Sequence, residues 1–378
     1  MNIEVNSRPI RVLHVLGALD RGGAETMVMN LYRNIDRSKI QFDFIIHTEE
    51  KCDYTDEIID LGGKIYSMKK FRGYNLFSYY RQFSIFFKTH NEYKIVHGHM
   101  RSTASIYLSI ANKNDCISIA HSHNISSGNG IVALIKNVLQ YPIRYIANYF
   151  FSCSLEAGKW LFGEKVIQSK NFYIIKNGID IKRFLFNENI RQNKRKELGI
   201  TDQFVIGNVA RFHEQKNHEF LIDLFKEYLE VNLNSLLILV GEGALRESIK
   251  IKVNNLGLQE KVIFLDSRED INELMQAFDV FVFPSKYEGL GIVAIEAQCS
   301  SLPVPCSNNI PKEVKISNNI TFLSIQDVNE WVLSLEHINN KNRYIENKEL
   351  LLNSGYNIGE IANKIEIFYL NINNKDRS

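Results

Sequence analysis

The stretch Val280-Phe-Val-Phe-Pro-Ser-Lys-Tyr-Glu-Gly-Leu-Gly-Ile-Val-Ala-Ile-Glu296 decides the fold class of this chain. Its first four residues are apolar and predict a buried strand, and the apolar run from Leu290 to Cys299 predicts a helix. Between them, Gly289 and Gly291 predict a tight turn. A buried strand that passes through a glycine turn into a helix is the unit from which parallel sheets are built. The stretch therefore predicts an α/β fold.

The same unit recurs on both sides of this stretch. In the first half, short apolar strands are predicted at residues 11–16, 42–47, 64–68, 95–97, 117–121, 149–152 and 172–175. Helices are predicted between them, for example at residues 25–33 and 132–147. In the second half, strands are predicted at residues 204–210, 236–240, 262–265 and 280–283. This alternation is typical of doubly wound sheets.

The alternation stops at a polar passage, residues 187–197, and then begins again. We therefore predict two Rossmann-like domains, residues 1–185 and 195–355, and a final helix within residues 356–378 that packs back on the first domain. Open α/β sheets bind ligands beyond the carboxyl ends of their strands. We expect the two domains to face each other across a cleft, with the site residues on strand-to-helix turns.

The composition is that of a globular protein. A length of 378 residues suffices for two cores, and 45% hydrophobic with 23% charged residues excludes disordered and fibrous classes. A net charge of +2 gives no reason to expect a nucleic-acid partner. The five cysteines form no CxxC pair, and no apolar run reaches the roughly 20 residues of a membrane span. A polar start without a signal-peptide pattern predicts a cytoplasmic protein.

Charge is unevenly distributed between the two halves. Residues 1–180 carry 22 Lys and Arg against 16 Asp and Glu, whereas the remaining residues carry 23 against 27. The basic and aromatic segments 69–88 and 131–149 could rest on an anionic membrane surface, or could be amphipathic helices packed on the sheet. The first domain is therefore the one expected to meet a membrane, on the cytoplasmic face of the inner membrane.

Two basic residues mark the first strand-to-helix turn of the second domain. Arg211 and Lys216 follow the strand at residues 204–210, next to a helix start whose free N–H groups also favour negative charge. Solvated surface cations are the alternative. Their position on the turn favours a diphosphate ligand.

Two glutamates frame the turn in the opening stretch. Glu288 lies in the turn itself, where the glycines allow a ligand to approach the backbone. Glu296 lies about a turn and a half into an otherwise apolar helix, where a carboxylate costs free energy unless a partner satisfies it. A solvent-facing glutamate is the alternative, but two ribose hydroxyls would provide such partners.

Glycines and histidines are the candidates in the first domain. Gly22 and Gly23 follow the first strand and allow close approach of a ligand, although they form no GxGxxG pattern and could be a plain turn. At the end of the fifth strand, in Ala120-His-Ser-His-Asn124, His121 is favoured over His123 because it ends the apolar run.

Metal ligands are not predicted. His97 and His99, after the fourth strand, could join His121 and His123 as ligands, but no carboxylate has matching spacing. The chain also lacks an Asp-x-Asp motif. We therefore predict activity without a metal.

The order of these motifs resembles that of the family 4 retaining glycosyltransferases of the GT-B fold. The shared motifs are Gly-Gly-Ala-Glu at 22–25, Asn-Gly-Ile-Asp at 177–180, Arg211 with Lys216, Val-Gly-Glu-Gly-Ala-Leu-Arg at 240–246, and Glu288 with Glu296, which have seven residues between them. The resemblance covers nearly the whole chain and is greatest to bacterial enzymes that build capsule, exopolysaccharide or O-antigen.

The resemblance implies a substrate class. It implies transfer of a hexose or N-acetylhexosamine from a nucleotide diphosphate sugar to a glycan acceptor. An acceptor linked to polyprenol would explain the basic first half of the chain. A UDP-sugar is favoured over a GDP-sugar, and no further cofactor is implied.

The resemblance also implies residue roles in binding the donor. Arg211 and Lys216 would hold the diphosphate, and Glu296 would hold the ribose hydroxyls. The donor hexose would be held by a set of turn residues and their amides: Glu288, Gly289, Leu290, Gly291 and Ile292.

Three further positions match the family. His121 would contact the transferred sugar, Gly23 would lie against the phosphate or the acceptor, and the main chain at Arg268 would meet the base. Ser267 replaces a glycine that is common in the family, and residues 300–301, both serine, replace a glycine-containing turn.

A retaining mechanism is implied by the resemblance alone, with the departing phosphate assisting the acceptor hydroxyl. Cations and helix N-termini would neutralise the leaving diphosphate, a role that a divalent metal performs elsewhere. Two alternatives remain open: a GT-B sugar-nucleotide epimerase, and a non-catalytic, membrane-associated partner of a glycan assembly complex.

Overall fold

The computed structural model of the chain describes residues 8–123, 130–339 and 343–375. The chain forms two compact units. The first unit consists of Met1–Ile179 with Gly355–Ser378, and the second consists of Asp180–Ser354.

The first unit contains a seven-stranded sheet in which all neighbouring strands are parallel. Its strands are β1 (Ile10–Val15), β2 (Ile40–Ile46), β3 (Ile65–Ser67), β4 (Ile95–Gly98), β5 (Ile117–Ser122), β6 (Tyr149–Ser152) and β7 (Phe172–Ile174). Their order is β3-β2-β1-β4-β5-β6-β7. From β1 the strands are added first on one side, to β3, and then on the other side, from β4 to β7. Such sheets bind ligands where the strand order reverses, here between β1 and β4.

Helices cover both faces of this sheet. They are α1 (Gly23–Asn34), α2 (Thr55–Asp60), α3 (Leu76–Thr89), α4 (Ala104–Asn112), α5 (Ile131–Gln140), α6 (Ile143–Ile146), α7 (Leu155–Phe162), α8 (Glu164–Ile167) and α17 (Ile358–Lys375). In β1, Val12 packs in an apolar cluster with residues of α1 and α17, and Leu13 packs in a second cluster with residues of α3 and α4. Successive strand residues point to opposite faces, so one strand contributes to both cores.

The second unit has the same design with fewer strands. They are β8 (Phe204–Val209), β9 (Ser235–Val240), β10 (Val262–Leu265), β11 (Val280–Phe281), β12 (Val304–Ser307) and β13 (Ile320–Leu323). The parallel sheet has the order β10-β9-β8-β11, β12 pairs with β13, and a bridge between Phe283 and Cys306 connects the two sheets. The helices are α9 (Ile181–Phe184), α10 (Glu188–Glu197), α11 (His218–Leu229), α12 (Arg246–Asn255), α13 (Ile271–Ala277), α14 (Ile292–Cys299), α15 (Val328–Asn339) and α16 (Lys348–Leu352). The predicted doubly wound class is confirmed in both units.

Some predicted elements have different bounds. The helix expected at residues 132–147 is two helices, α5 and α6, with Pro142 between them, because proline has no N–H to continue the helical hydrogen bonds. The polar passage at 187–197 contains α10, whose N-terminus is capped by the Asn187 side chain. α14 begins at Ile292 rather than Leu290, because Gly291 has a φ of +88° and precedes the helix.

Among the described residues, no helix is both long and apolar enough to cross a membrane.

Candidate functional site

The carboxyl ends of β8 and β11 carry the residues predicted in the second unit. The two strands are neighbours, with β9 on the other side of β8, so the sheet order reverses here. The loop after β8, residues 210–217, contains a single 3-10 turn at Glu214–Lys216. The loop after β11, residues 282–291, leads into α14. Parallel pairing brings both loops to the same edge of the sheet.

Lys216 and Glu288 form an ion pair between these loops. Lys216 Nζ lies 2.6 Å from Glu288 Oε1, and the two side chains are 21% and 7% exposed. Gln215 Nε2 donates to the other oxygen, Glu288 Oε2, at 3.1 Å, and the Lys286 amide donates to the Gln215 carbonyl at 2.8 Å. A lysine has three donors, so Lys216 can bind a further anionic oxygen while it remains paired with Glu288.

Two glycines after β9 allow the next loop to pack against the backbone of residues 210–217. A Cβ atom at Gly241 would lie 2.3 Å from the Ala210 carbonyl oxygen, and one at Gly243 would lie 2.4 Å from the Phe212 carbonyl oxygen. Both φ angles are positive, +138° and +149°. Only glycine fits at these two positions, which gives the motif at 240–246 a structural role.

Arg211 lies directly after β8 and is exposed. Within the described part of the chain, its guanidinium makes no ion pair or side-chain hydrogen bond. Its guanidinium is therefore available to bind an anion, and its part in a diphosphate site remains a prediction.

Glu296 lies on α14 among mostly buried neighbours. Burial raises the pKa of its carboxyl from 4.5 to about 8, and the positive charge of Arg183 opposes the rise. Its side chain has no hydrogen bond or ion pair with any described residue. A ligand that brings two hydroxyl groups would supply the missing partners, so the ribose-binding role remains the prediction for this residue.

The turn between the two glutamates is held by glycine geometry. A Cβ at Gly291 would lie 2.9 Å from the Phe283 ring, and its φ of +88° is one that side chains disfavour. Gly289 and Ile292 are partly exposed on either side of the buried Leu290. The turn is thus partly exposed at Gly289, Gly291 and Ile292, and it packs against Phe283.

Arg268 has a different environment from the other predicted residues. Its guanidinium pairs with Asp270 through two hydrogen bonds of 2.7 Å and contacts Glu197 at 3.3 Å. Lys194 joins the same network through Asp270. The Arg268 side chain therefore ties the loop after β10 to α10, and a contact of its main chain with the base remains a prediction.

In the first unit, a cavity of about 370 Å³ lies at the carboxyl ends of β1 and β4. Gly17 and Gly23 line one side, and a Cβ at Gly23 would meet no atom within 4 Å. Arg101, Lys136 and His123 also line it. The predicted glycine loop thus borders open space that two cations, Arg101 and Lys136, also line.

His121 is not at the cavity wall, contrary to expectation. It is 1% exposed, and its Nδ1 lies 3.1 Å from His97 Nε2 in the interior. His123, two residues on, lies against the cavity. Both residues point to the same side of the strand, and His123 is nearer the carboxyl end, so His123 rather than His121 lines this cavity. A contact of His121 with the transferred sugar remains a prediction. Asn124, the last residue of this motif, is outside the described residues.

The histidines of β1, β4 and β5 form a buried array. Two groups of three bring one ring nitrogen each to within 4.8 Å of one another and have the geometry to hold a metal ion: His14, His97 and His99, and His99, His121 and His123. Burial lowers the pKa of each of these imidazoles, for His14 and His123 to about 3. The array is therefore neutral at physiological pH.

Three residues near these sites were missed in the sequence. Gln215 holds Glu288, and Arg101 and Lys136 line the first-unit cavity. The position of Arg101 just after β4 was the one available signal, since that is where a parallel sheet positions its ligand contacts.

Family comparisons cover almost the whole chain. Residues 190–366 match the family described as "Glycosyl transferases group 1", and residues 21–183 match "Glycosyltransferase Family 4". A Bacillus subtilis protein named as the glycosyltransferase EpsF is 36% identical over 378 residues, covering 96% of this chain and 98% of that protein.

An Escherichia coli relative is named "UDP-Gal:alpha-D-GlcNAc-diphosphoundecaprenol alpha-1,3-galactosyltransferase". It is 28% identical over 218 residues, covering 55% of this chain and 56% of that protein. Among solved structures, Anabaena HepE in complex with UDP has a TM-score of 0.73 at 18% identity, over 94% of this chain and 95% of that one. The latter similarity supports the two-unit fold.

Proposed function

Because the chain belongs to the family 4 glycosyltransferases of the GT-B fold, we propose that it transfers a hexose or N-acetylhexosamine from a UDP-sugar to a polyprenol-linked glycan. The chain is a glycosyltransferase of bacterial polysaccharide synthesis. What we propose beyond this activity is the identity of the donor, the identity of the acceptor and the stereochemistry of transfer. The observation that carries the donor proposal is the largely desolvated Glu296 carboxyl, which is partly exposed and has no hydrogen bond or ion pair with a described residue.

The donor nucleotide is bound by the second unit. Ribose hydroxyls donate to Glu296, and the diphosphate is neutralised by Arg211 and Lys216 at the end of β8. The E. coli relative named for UDP-Gal supports uracil as the base, so we favour UDP-sugars over GDP-sugars.

The leaving diphosphate carries the charge that develops during transfer. Fixed cations stabilise such charge most when water is excluded, and Lys216 is fixed by its ion pair with Glu288. Two cations therefore supply the stabilisation, and we propose that transfer proceeds without a metal. Retention of configuration is carried over from the family, with the departing phosphate assisting the acceptor hydroxyl.

Transfer assays test the donor half of the proposal. Lys216→Ala should abolish transfer from UDP-sugars, because it removes a diphosphate contact and unpairs Glu288. Lys286→Ala is the matched control, since Lys286 lies in the second loop and pairs only with the exposed Glu214 in the described structure. Full transfer by Lys216→Ala, or equal loss in both variants, would refute the diphosphate assignment.

A lipid-linked acceptor is proposed from the surface of the first unit. Helix α5 exposes apolar residues at helical spacing, Ile131, Leu134, Ile135 and Val138, which are 78%, 64%, 54% and 65% exposed. Lys136 lies on the same helix and also lines the cavity of about 370 Å³. An apolar face beside a basic cavity suits a polyprenol chain with its phosphates. We therefore propose peripheral association with the cytoplasmic face of the inner membrane.

Liposome co-sedimentation tests the membrane proposal. Ile135→Asp with Val138→Asp should release the protein from vesicles that contain anionic lipid. Leu233→Asp is the control, because Leu233 is 76% exposed in the second unit. Binding that ignores anionic lipid content, or that survives the α5 substitutions, would reject the proposal.

A further inference from the structure

A second and larger cavity of the first unit lies at the amino ends of its strands. Its volume is about 910 Å³, and its lining includes Ile117, the first residue of β5, and Tyr149, the first residue of β6. β5 has six residues, so at about 3.3 Å per residue its two ends are about 20 Å apart. This amino-end cavity is therefore distinct from the cavity of about 370 Å³ at the carboxyl ends.

The inner wall of the amino-end cavity is apolar. Phe150 and Phe162 line it from β6 and α7, and Ile372 lines it from α17. All three side chains are buried. Ligand sites for small molecules usually have volumes of about 300–1,000 Å³, so this cavity has room for a ligand much larger than one phosphate. A small hydrophilic ion would leave the apolar wall in contact with water, which disfavours it as the natural occupant.

Four charged residues, two of each sign, also line the cavity: Asp115, Arg144, Glu164 and Lys165. Three of them are exposed, and only Arg144 is half-buried. Glu164 has a cation nearby, because its carboxylate lies 3.4 Å from Lys159 Nζ. The charge set deepest in the lining is therefore positive.

Arg144 has donors to spare. Its Nη2 donates to the Leu161 carbonyl at 3.0 Å, and its guanidinium lies over the Tyr141 ring at 4.1 Å. Its Nε is buried without a hydrogen-bond partner, and no carboxylate pairs with it in the part of the chain that the structure describes. A guanidinium has five N–H donors, and one stacked on a ring still offers its edge to two oxygens of a phosphate.

An exposed apolar stripe leads from α5 to this cavity. Tyr141 and Pro142 keep helical backbone angles between α5 and α6, so the helical spacing of the apolar α5 residues continues to Tyr145. Tyr141 and Tyr145 are 50% and 75% exposed, and Tyr145 lines the cavity. The face that we propose to meet the membrane thus ends at a cavity with an apolar wall and a cation that has donors to spare.

We propose that the amino-end cavity binds one phospholipid of the membrane surface, with the phosphate on Arg144 and an acyl chain along the apolar wall. This lipid anchors the first unit and is not the acceptor, because the ligand site of the sheet lies at the other end of its strands. The lipid site stands on the first unit alone, whereas its role as an anchor rests on the peripheral association proposed above.

The first experiment measures binding of a soluble phospholipid. Calorimetric titration of the full chain with dihexanoylphosphatidylglycerol, below its critical micelle concentration, should show one site. Arg144→Met, which keeps an apolar stem, should weaken binding about tenfold to a hundredfold through the lost charged hydrogen bonds. Lys170→Met is the matched control, because Lys170 is exposed nearby and does not line the cavity. It should bind like the unmodified protein.

A second variant fills the cavity and leaves Arg144 in place. Ser169 lines the cavity, is exposed, and makes no side-chain hydrogen bond in the described structure. Ser169→Tyr should therefore fold normally and weaken lipid binding at least tenfold, which keeps the test decisive if Arg144→Met unfolds. Undiminished binding by Ser169→Tyr would overturn the proposal.

Two competitors separate a phospholipid from other occupants. Inorganic phosphate and octyl glucoside carry the phosphate and the apolar chain separately, so each should bind at least tenfold more weakly than the lipid. Equal affinity for inorganic phosphate would show a free phosphate site, and equal affinity for octyl glucoside would show an apolar cleft without recognition of phosphate. Either result would overturn the proposal.

The second experiment measures anchoring. Co-sedimentation with phosphatidylglycerol vesicles should fall severalfold in Arg144→Met and Ser169→Tyr, while both variants keep the UDP affinity of the unmodified protein. Full vesicle binding by both variants would overturn the anchoring role. Absence of UDP binding from the unmodified protein would instead refute the proposed function, and the lipid titration would still decide the lipid site.

Discussion

Replacing Glu296 by glutamine should make the ligand-free protein more stable at high pH and weaken its nucleotide binding. The Glu296 carboxyl lies partly exposed on α14 without a hydrogen bond or ion pair to a described residue, and desolvation raises its pKa to about 8. Glutamine is nearly the same size but has no charge to bury. A residue retained for stability would respond in the opposite way, so the two effects together identify a binding residue.

The magnitude follows from the pKa. Between pH 4.5 and about 8, the folded state keeps a proton that the unfolded chain has released, so the free energy of unfolding falls as pH rises and levels off above 8. At about 1.4 kcal/mol per pKa unit, the rise from 4.5 to about 8 corresponds to a loss of about 5 kcal/mol in the free energy of unfolding. The side chain is partly exposed, and water access reduces the expected effect to about 2–3 kcal/mol. The difference in free energy of unfolding between Glu296→Gln and the unmodified protein should therefore grow by this amount, in favour of the variant, from pH 5 to pH 9.

Tryptophan fluorescence can follow this change in the second unit alone. The chain has two tryptophans, and Trp331 is fully buried in the second unit. Urea denaturation in a Trp160→Phe background therefore reports on the unit that contains Glu296. Glu227→Gln, on the exposed side of α11, is the matched control. A constant difference between Glu296→Gln and the unmodified protein at pH 5 and pH 9, or unchanged UDP affinity, would refute the reasoning.

Three other predictions concern the Lys216–Glu288 ion pair, the turn at Gly291 and the independence of transfer from a metal. Lys216→Met should lower the free energy of unfolding by about 2–4 kcal/mol in urea denaturation, because it leaves the 7%-exposed Glu288 carboxylate without its cation and with only the Gln215 hydrogen bond. Adding Glu288→Gln should recover most of this loss, and no recovery would contradict the role of the pair. Gly291→Ala should destabilise the second unit by more than about 1 kcal/mol, since it combines a positive φ with a clash against Phe283, whereas Gly257→Ala meets only a positive φ and should lose less. Transfer should be unaffected by EDTA, and a loss that Mg²⁺ restores would show that cations of the protein do not suffice.

The parallel sheets and their loops could be predicted because their signal is local. Apolar strands such as β6 and β10 stand between turn residues, and their predicted bounds equal the observed ones. The loops after β8 and β11 were predicted to carry the site because parallel strands bring their carboxyl ends to one edge. The strand β12 was missed, since Pro305 within it is atypical of strands.

The histidine that lines the first-unit cavity could not be chosen from the sequence. His121 and His123 are two positions apart and therefore lie on the same side of the chain at the end of β5. The alternation of strand residues gives no reason to prefer one of them. What separates them is the position of the strand end relative to the glycine loop, which depends on tertiary packing. The contact between Arg268 and Glu197 could not be predicted either, because Glu197 lies on α10, about 70 residues earlier in the chain.

Saturation-transfer NMR of the purified protein against a panel of UDP- and GDP-sugars tests the central claim most directly. We expect saturation transfer to the nucleotide of UDP-sugars, strongest at the ribose protons near Glu296, and its loss in Glu296→Gln and Arg211→Ala. Binding of no member of the panel, or equal binding by the unmodified protein and both variants, would contradict the assignment of this site to an activated sugar.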